Sequence, residues 1–372
     1  AISSHGNWVN SHETAKRSRH LKDSQFVFHF EDGCSQLEAG SYGHVAVMLG
    51  VVRSWAMKTR VIFFEQKNGD LLKTMQEYKI TIGGGVPAVF EQLATLPTWA
   101  NYDLSSVRYW TSSSAPLSES RREFIEKKLG IKIIQNYAMT ETCGFVTSET
   151  ADQRRPGSSG KVKAGFELKT IDDSGKTVPP GEVGEICVKG ASVILGYYKS
   201  PDETARAFKD GWYHTGDLGS LDKEGFIYIA GRKSQVINQG GFKIQPVEVQ
   251  QVIEKMPAVA ACVVTAIPDE LLGQAVGVFV KVKQGIEFDP NELRAFCAQH
   301  LADYKVPQYI YVVDEFPLTV TNKIDIQKLV RERSSFVAKN KTDAPKTHSE
   351  LVTMIKEVLA GILGVEAGSL KD

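Results

Sequence analysis

The chain has 372 residues, and its 44 lysines and arginines equal its 44 aspartates and glutamates, so its formal net charge is zero. This length is enough for two or three domains with cores of their own. The charge balance excludes a general electrostatic attraction to nucleic acid or to an anionic membrane. No apolar run approaches the roughly 20 residues of a transmembrane helix.

Cysteines and histidines are scattered along the chain. The cysteines form no C-x-x-C pair, which predicts buried thiols in a reducing compartment and hence a cytoplasmic location. The eight histidines show no spacing typical of metal ligands, so no zinc site is expected. The five cysteines are Cys34, Cys143, Cys187, Cys262 and Cys297.

Apolar runs alternate with helical patterns over residues 1–155. Pro87 suits the first turn of a helix, and Ser118 suits an N-cap. The alternation predicts part of a large α/β domain with a mainly parallel sheet. The expected strands cover 61–64, 80–82, 107–111 and 131–135, and the expected helices cover 71–78, 87–93 and 118–129.

The pattern changes after residue 155. Short strands separated by turn clusters over 156–231 predict a small β-barrel subdomain. Residues 232–334 are expected to form a mobile α+β C-terminal domain with a hinge near 231–235. A linker (335–348) and an amphipathic helix (349–372) are expected to follow. The expected elements are strands at 167–171, 184–189, 226–229, 259–266, 275–282 and 309–313, and helices at 246–255 and 290–300.

The stretch from Trp212 to Pro246 holds the strongest chemical signal. In Tyr213-His-Thr-Gly-Asp217, a turn glycine beside Asp217 can present the carboxylate to vicinal hydroxyls. Arg232, fifteen residues later, adds a planar donor fork suited to a phosphate or ribose oxygen. Together they predict a nucleotide-binding site.

A second polar segment follows the predicted strand 131–135, at the carboxyl end of a sheet where ligand sites of α/β proteins collect. Thr140 offers a hydroxyl to a phosphate, and Glu141 offers a carboxylate to Mg²⁺. Tyr137 could stack on a base. Taken alone, this segment is more typical of a solvated turn.

These motifs resemble the signatures of the adenylate-forming superfamily, which includes acyl- and aryl-CoA synthetases, firefly-type luciferases and adenylation domains of peptide synthetases. The similar strings include Tyr137-Ala-Met-Thr-Glu141, Tyr213-His-Thr-Gly-Asp217 and Gly231-Arg232. Further strings match at the family's spacing and extend the resemblance over 1–333; they are Gly184-Glu-Ile-Cys-Val-Lys-Gly190, Gly196-Tyr-Tyr198, Leu301-Ala-Asp-Tyr-Lys-Val-Pro307 and Pro317-Leu-Thr-Val-Thr-Asn-Lys323.

The resemblance implies ATP-dependent activation of a carboxylic acid, fatty or aryl, as an acyl-adenylate. The acyl group would then pass to the thiol of CoA or of phosphopantetheine on a carrier protein. Asp217 would hold the ribose hydroxyls with help from Arg232. Thr140 would contact phosphate, Glu141 would bind Mg²⁺, and Lys323 would pair with the attacking carboxylate and the α-phosphate. The other nucleotide-binding residues would be Tyr137, Ser113, Ser114, Ala115 and Asn136.

The resemblance also implies a second half-reaction that depends on the C-terminal domain. Gly240, Gly241 and Phe242 would line the thiol tunnel, since glycine allows close backbone approach. Ser234 would be the hinge, at a position where Asp or Lys is the commoner residue. His29 or His44 would border the acyl pocket.

The family's Ser/Thr/Gly-rich phosphate loop ending in Pro-Lys-Gly is not found in this sequence. Residues 2–7 resemble the segment after that loop, so the chain is expected to begin just past it, with weak or absent adenylation by this polypeptide alone. Residues 355–365 resemble the first helix of a carrier protein, which suggests a multidomain parent.

Other hypotheses remain open beside the ligase. One is a catalytically silent nucleotide- or acyl-binding remnant, and another is an interaction module whose C-terminal tail docks a partner. A dinucleotide-binding dehydrogenase is rejected although Gly83 to Ala88 mimics its glycine fingerprint, because Pro87 lies inside that fingerprint.

Overall fold

The structure, a computed structural model, describes residues 34–38, 50–51, 54, 59–64, 70–114, 117–319, 324–333 and 337–338. Several predicted features lie outside these residues: Ala115, Lys323, His29, His44 and the expected helix at 349–372. The chain divides into two compact units, Ala1–Gln235 and Val236–Asp372. Among the described helices, none combines the length and the apolar character needed to cross a membrane.

The first unit carries two sheets. Its described helices are α1 (Leu71–Glu77), α2 (Pro87–Thr95), α3 (Glu119–Leu129) and α4 (Pro201–Ala207). Its strands are β1 (Ser35–Glu38), β2 (Arg60–Phe63), β3 (Ile82–Gly85), β4 (Tyr109–Ser112), β5 (Ile133–Met139), β6 (Gly144–Ser148), β7 (Lys161–Val162), β8 (Phe166–Ile171), β9 (Gly184–Gly190), β10 (Phe208–Lys209), β11 (Trp212–Leu221) and β12 (Ile227–Arg232).

The first sheet has the strand order β2-β1-β3-β4-β5-β6-β7. The pairs from β2 through β5 are parallel, and β6 and β7 then continue antiparallel. This confirms the predicted α/β fold with a mainly parallel sheet. Trp110 on β4 is fully buried and meets Phe90 of α2 edge to face, with ring centroids 5.8 Å apart.

Two local predictions for this sheet need correction. The strand expected at 80–82 lies at Ile82–Gly85. Its glycines allow β3 to pack beside β4, because a Cβ on Gly83 would come within 2.9 Å of the Trp110 ring. The glycines of the rejected fingerprint are therefore strand residues. Ser118 is the N-cap of α3, but its side chain makes no capping hydrogen bond.

The second sheet is open, where a small barrel was expected. Its order is β10-β11-β9-β8, with β12 also paired to β11. The long strand β11 lies at the centre of this sheet. It pairs with β9 along one edge, and along its other edge it pairs first with β10 and then with β12. Among the described strands none joins β8 to β12, so the sheet does not close.

The second unit has one sheet, ordered β14-β13-β16-β17-β18, with β15 also paired to β16. Helices α5 and α6 contribute Val249, Ile253, Leu293 and Cys297 to its buried core. Its helices are α5 (Pro246–Ile253), α6 (Pro290–His300) and α7 (Ile326–Arg331), and its strands are β13 (Ile237–Gln239), β14 (Phe242–Ile244), β15 (Val259–Asp269), β16 (Gly273–Val282), β17 (Tyr309–Val312) and β18 (Val337–Ala338).

The glycine pair at 240–241 is the turn of the β13–β14 hairpin. Gln239 pairs with Phe242, so only two residues connect the strands. Gly240 has φ +55° and Gly241 has φ +93°, which matches the turn with two positive φ values that fits the twist of a hairpin. Hairpin geometry alone therefore calls for glycine here, whatever the pair does for a thiol.

Gly241→Ala should destabilise the chain by about 1–2 kcal/mol, because an L side chain is strained at positive φ. The matched control is Gly240→Asn, because asparagine tolerates positive φ and its Cβ would meet only the tip of Leu272, at 3.3 Å. We expect the control to change the free energy of unfolding by less than about 0.5 kcal/mol in urea titrations. Equal losses for the two variants would contradict this explanation.

Candidate active site

Asp217 owes its position to a break in the ladder of β11. The pairing of β11 with β9 shifts register between His214 and Leu218, so the intervening residues leave the regular ladder. Gly216 adopts φ +69° in this irregularity. The Thr215 hydroxyl donates to the backbone oxygen of Ile186 at 2.8 Å and accepts from the Asp217 N–H at 3.0 Å. Such a bulge re-aims the following side chain.

Each oxygen of the Asp217 carboxylate accepts a hydrogen bond from a different strand. Tyr137 on β5 donates from its hydroxyl to Oδ2 at 2.7 Å. Arg232 on β12, directly opposite Asp217 in the ladder, donates from Nε to Oδ1 at 2.9 Å. The structure thus brings together the aspartate and arginine that the sequence singled out, as cross-strand partners.

Asp217 is 6% exposed, and this burial is the largest influence on the pKa of its carboxyl group. Burial raises the pKa of Asp217, while the hydrogen bond from Tyr137 and the charge of Arg232 oppose that rise. Burial and the nearby Asp217 charge raise the pKa of Tyr137, so its hydroxyl stays protonated and can donate. Arg232 keeps its side chain 61% exposed, which leaves further guanidinium donors available.

Tyr137 acts through its hydroxyl, which differs from the expected stacking on a base. Its ring packs with Val146, Ile186, Val188 and Ile227 in a hydrophobic cluster, and the residue is 8% exposed. The alternation along β5 turns this side chain toward the second sheet. Little ring face is left for a ligand.

Glu141 lies in the 3₁₀ turn Thr140–Thr142 that follows β5. Its Oε1 accepts from the Tyr197 hydroxyl at 3.2 Å, and its backbone oxygen accepts from the Ile194 N–H at 2.8 Å. The Tyr197 and Tyr213 hydroxyls are 3.1 Å apart. Thr140, beside Glu141, is exposed.

The Glu141 turn suits Mg²⁺ that is bound together with a nucleotide. Within the described part of the chain, no group of three or more His, Cys, Asp or Glu side chains is placed to hold a metal ion. Mg²⁺ commonly binds one or two carboxylates together with the phosphates of a nucleotide and water. Glu141, half-buried and beside an exposed threonine, suits that role rather than an all-protein metal cage.

The other predicted residues of the first unit lie in several different elements. Ser113 and Ser114 follow β4 at the carboxyl edge of the parallel sheet, and Ser114 is exposed with φ +71°. Asn136 is buried, and its side-chain oxygen accepts from the Ser148 hydroxyl. Ser234 is exposed in the turn Lys233–Gln235.

The predicted thiol-tunnel residues belong to the second unit. Phe242 is 55% exposed, and its ring stacks on that of Tyr304 with centroids 4.5 Å apart. The aromatic pair therefore borders the glycine turn of the β13–β14 hairpin.

Sequence reasoning assigned no role to Thr215, Tyr197 or Tyr213, although all three lie inside the motifs it quoted. A spacing signal was present: Tyr137 and Tyr213 each precede an acidic residue by four positions, at Glu141 and Asp217.

Comparison with known protein families identifies two matching regions. The AMP-binding enzyme family matches residues 1–198, and the AMP-binding enzyme C-terminal domain matches residues 248–323. The chain belongs to the AMP-binding enzyme family.

Its relatives include the long-chain-fatty-acid–CoA ligase of Bacillus subtilis strain 168, 36% identical over 267 residues that cover 71% of this chain and 48% of the ligase. ATP-bound MatB from Rhodopseudomonas palustris superposes with a TM-score of 0.80 at 26% identity, covering 88% of this chain and 64% of MatB. The chain spans about half the length of the curated relatives it matches.

A third similar protein is o-succinylbenzoate CoA synthetase (MenE) from Bacillus subtilis, in complex with the acyl-adenylate intermediate OSB-AMP. It superposes with a TM-score of 0.73 at 28% identity, covering 88% of this chain and 65% of that one. Structures similar to this chain thus include one with ATP and one with an acyl-adenylate.

Asp217→Asn should gain stability relative to the wild type as the pH rises. Because the pKa of Asp217 is raised above its ordinary value of 3.8, the unfolded carboxyl ionises first. The stability due to this group is full below that value and is lost as the pH rises through the folded-state pKa. The variant lacks that loss.

Urea unfolding of both proteins between about pH 4 and pH 7 measures the difference. The free energy of unfolding of Asp217→Asn minus that of the wild type should increase across this range. A difference that decreases with pH would mean that Tyr137 and Arg232 overcompensate the cost of burial.

Proposed function

We propose that this chain provides the ribose-binding and metal-binding parts of an enzyme that activates a carboxylic acid with ATP. The product would be an acyl-adenylate, and the acyl group would pass to a thiol. The observation that carries the proposal is the Asp217 carboxylate, buried and held by Tyr137 and Arg232 through one oxygen each. A carboxylate oxygen has capacity for more than one donor, so two ribose hydroxyls can still bind there.

Arg232 is the second group of the nucleotide site. Its Nε is engaged by Asp217, and its mostly exposed guanidinium has other N–H groups that can donate to a ribose or phosphate oxygen. Asp217 in turn fixes the plane of the guanidinium. Positioning of this kind, made before the ligand arrives, reduces the cost of ordering when it binds.

Adenylation joins an oxygen of the acid to the α-phosphorus of ATP and releases pyrophosphate. Mg²⁺, held by Glu141 and by nucleotide phosphates, would supply neutralisation of the phosphate charge. The Thr140 hydroxyl would donate to a phosphate oxygen. Lys323 would pair with the acid carboxylate and the α-phosphate, a role that rests on its sequence motif.

Thiolation then forms a bond between the sulfur and the acyl carbon, breaks the bond from that carbon to AMP, and releases AMP and the thiol proton. We propose CoA as the thiol, with a carrier-bound phosphopantetheine as the alternative, since the similar proteins are named as a CoA ligase and a CoA synthase. Gly240, Gly241 and Phe242 would line the path of the thiol, and Ser234 would act as the pivot between the two half-reactions. The protein would work in the cytoplasm, in keeping with five buried cysteines.

The acid would be fatty or aryl. The similar proteins act on both kinds, by their names: a long-chain fatty acid in one case and o-succinylbenzoate in another. Binding of matched fatty and aryl mimics distinguishes the two classes.

Calorimetric titration with acyl-sulfamoyladenosines, dodecanoyl and benzoyl, tests the nucleotide site. These mimics replace the mixed anhydride by a stable linkage and keep the ribose. We expect the chain to bind at least one of them, and Asp217→Ala to weaken that binding by a factor of about 30 or more, because a charged acceptor for two hydroxyls is lost. The matched control is Asp202→Ala, which removes an exposed aspartate in the first turn of α4.

A second assay separates binding from catalysis. Acid-dependent exchange of labelled pyrophosphate into ATP would establish adenylation by this polypeptide. Mimic binding without exchange would support the alternative of a nucleotide- and acyl-binding chain that is catalytically silent. Failure of a folded chain to bind any mimic, or equal loss in both aspartate variants, would contradict the proposal.

A further inference from the structure

The two acidic groups of the site are linked by tyrosines in a reciprocal way. Tyr137 comes four residues before Glu141, but it donates to Asp217 at 2.7 Å. Tyr213 comes four residues before Asp217, but its hydroxyl lies 3.1 Å from that of Tyr197, which contacts Glu141. The tyrosine of each segment thus supports the carboxylate of the other segment, directly for Tyr137 and through Tyr197 for Tyr213.

Counting protons fixes the direction of the second link. A phenol has one proton to donate, and an ionised carboxylate can only accept. The Tyr197 proton is directed to Glu141 at 3.2 Å, so the bond between the two tyrosines must be donated by Tyr213. A tyrosine phenol is ordinarily protonated at neutral pH, so the hydroxyl contacts complete a relay from Tyr213 through Tyr197 to Glu141.

The backbone around Tyr197 is anchored on both sides. Ile194 donates its N–H to the backbone oxygen of Glu141 at 2.8 Å. The Tyr197 N–H donates to the Thr204 hydroxyl at 2.9 Å, and that hydroxyl donates to the Ser200 backbone oxygen at 2.9 Å. The segment from 194 to 204 therefore attaches to the Glu141 turn through both its main chain and the Tyr197 side chain.

We propose that Tyr197 is a positioning residue that orients the Glu141 carboxylate for a nucleotide-bound divalent cation, with Tyr213 as its donor. This inference rests on the proposed function. Partners that hydrogen-bond a metal ligand fix its orientation, and their loss typically weakens metal binding by about 10- to 100-fold. The Tyr197 hydroxyl binds Oε1, so Oε2 would be available to a cation.

The first test needs no nucleotide. A double-mutant cycle of Tyr197→Phe and Glu141→Ala, followed by urea unfolding, measures the coupling between the two side chains. We expect a coupling of about fivefold or more in the unfolding equilibrium constant, as for a partly buried hydrogen bond. The control cycle uses Tyr198→Phe, which changes the adjacent tyrosine, 70% exposed, and should give coupling below about twofold.

The second test measures the metal. Mn²⁺ replaces Mg²⁺ and is followed by electron paramagnetic resonance in the presence of ATP. Tyr197→Phe should weaken Mn²⁺ binding by about tenfold relative to Tyr198→Phe, since the carboxylate loses its orienting donor. Binding of an acyl-sulfamoyladenosine, which needs no cation, should change by less than about twofold in both variants.

The outcomes separate this inference from the proposed function. If the parent chain binds Mn²⁺–ATP and the mimic while Tyr197→Phe matches Tyr198→Phe, the inference is overturned and the proposed function stands. Equal losses of mimic and Mn²⁺ in Tyr197→Phe would show a merely structural role and also overturn it. If the folded parent binds neither ligand, the proposed function fails and the metal role fails with it, whatever the unfolding cycle shows.

Discussion

The buried carboxylate of Asp217 is the interaction on which the site depends. It joins β5 of the mainly parallel sheet to β11 and β12 of the antiparallel sheet, through one hydrogen bond to each oxygen. The hydrophobic cluster around the Tyr137 ring packs at the same junction. A charged aspartate at this position is energetically unfavourable, because burial disfavours its ionised form. The chain therefore maintains an unfavourable charge at a point where a ligand with vicinal hydroxyls would compensate it.

Local geometry accounts for much of the motif that contains this aspartate. Thr215 caps the irregularity in β11, and Gly216 supplies a backbone conformation with positive φ. Thr215 and Gly216 are required for a structural reason: they set the direction in which the Asp217 side chain points. A similar argument holds for Gly240 and Gly241, whose hairpin turn fits glycine before any thiol is considered.

Features that depend on neighbours in sequence were predictable, and those that depend on remote pairing were not. The sequence analysis assigned Asp217 and Arg232 to one site, and the two residues lie opposite each other in adjacent strands. The parallel sheet followed from the alternation of strands and helices. The small β-barrel expected over 156–231 is an open sheet, because β10 and β12 share one edge of β11, and local sequence does not determine which strands pair. The hydrogen bond from Tyr137 joins residues 80 positions apart, and no local pattern could indicate it.

Asp217 is proposed to bind the two ribose hydroxyls. The most direct measurement is a thermodynamic cycle that combines Asp217→Ala with a 2′,3′-dideoxy version of the acyl-sulfamoyladenosine. Each change alone should weaken calorimetric binding by a factor of about 30 or more, and the two together should weaken it little further, because both remove the same interaction. Losses that simply multiply would show that Asp217 and the hydroxyls act independently, and would contradict the claim.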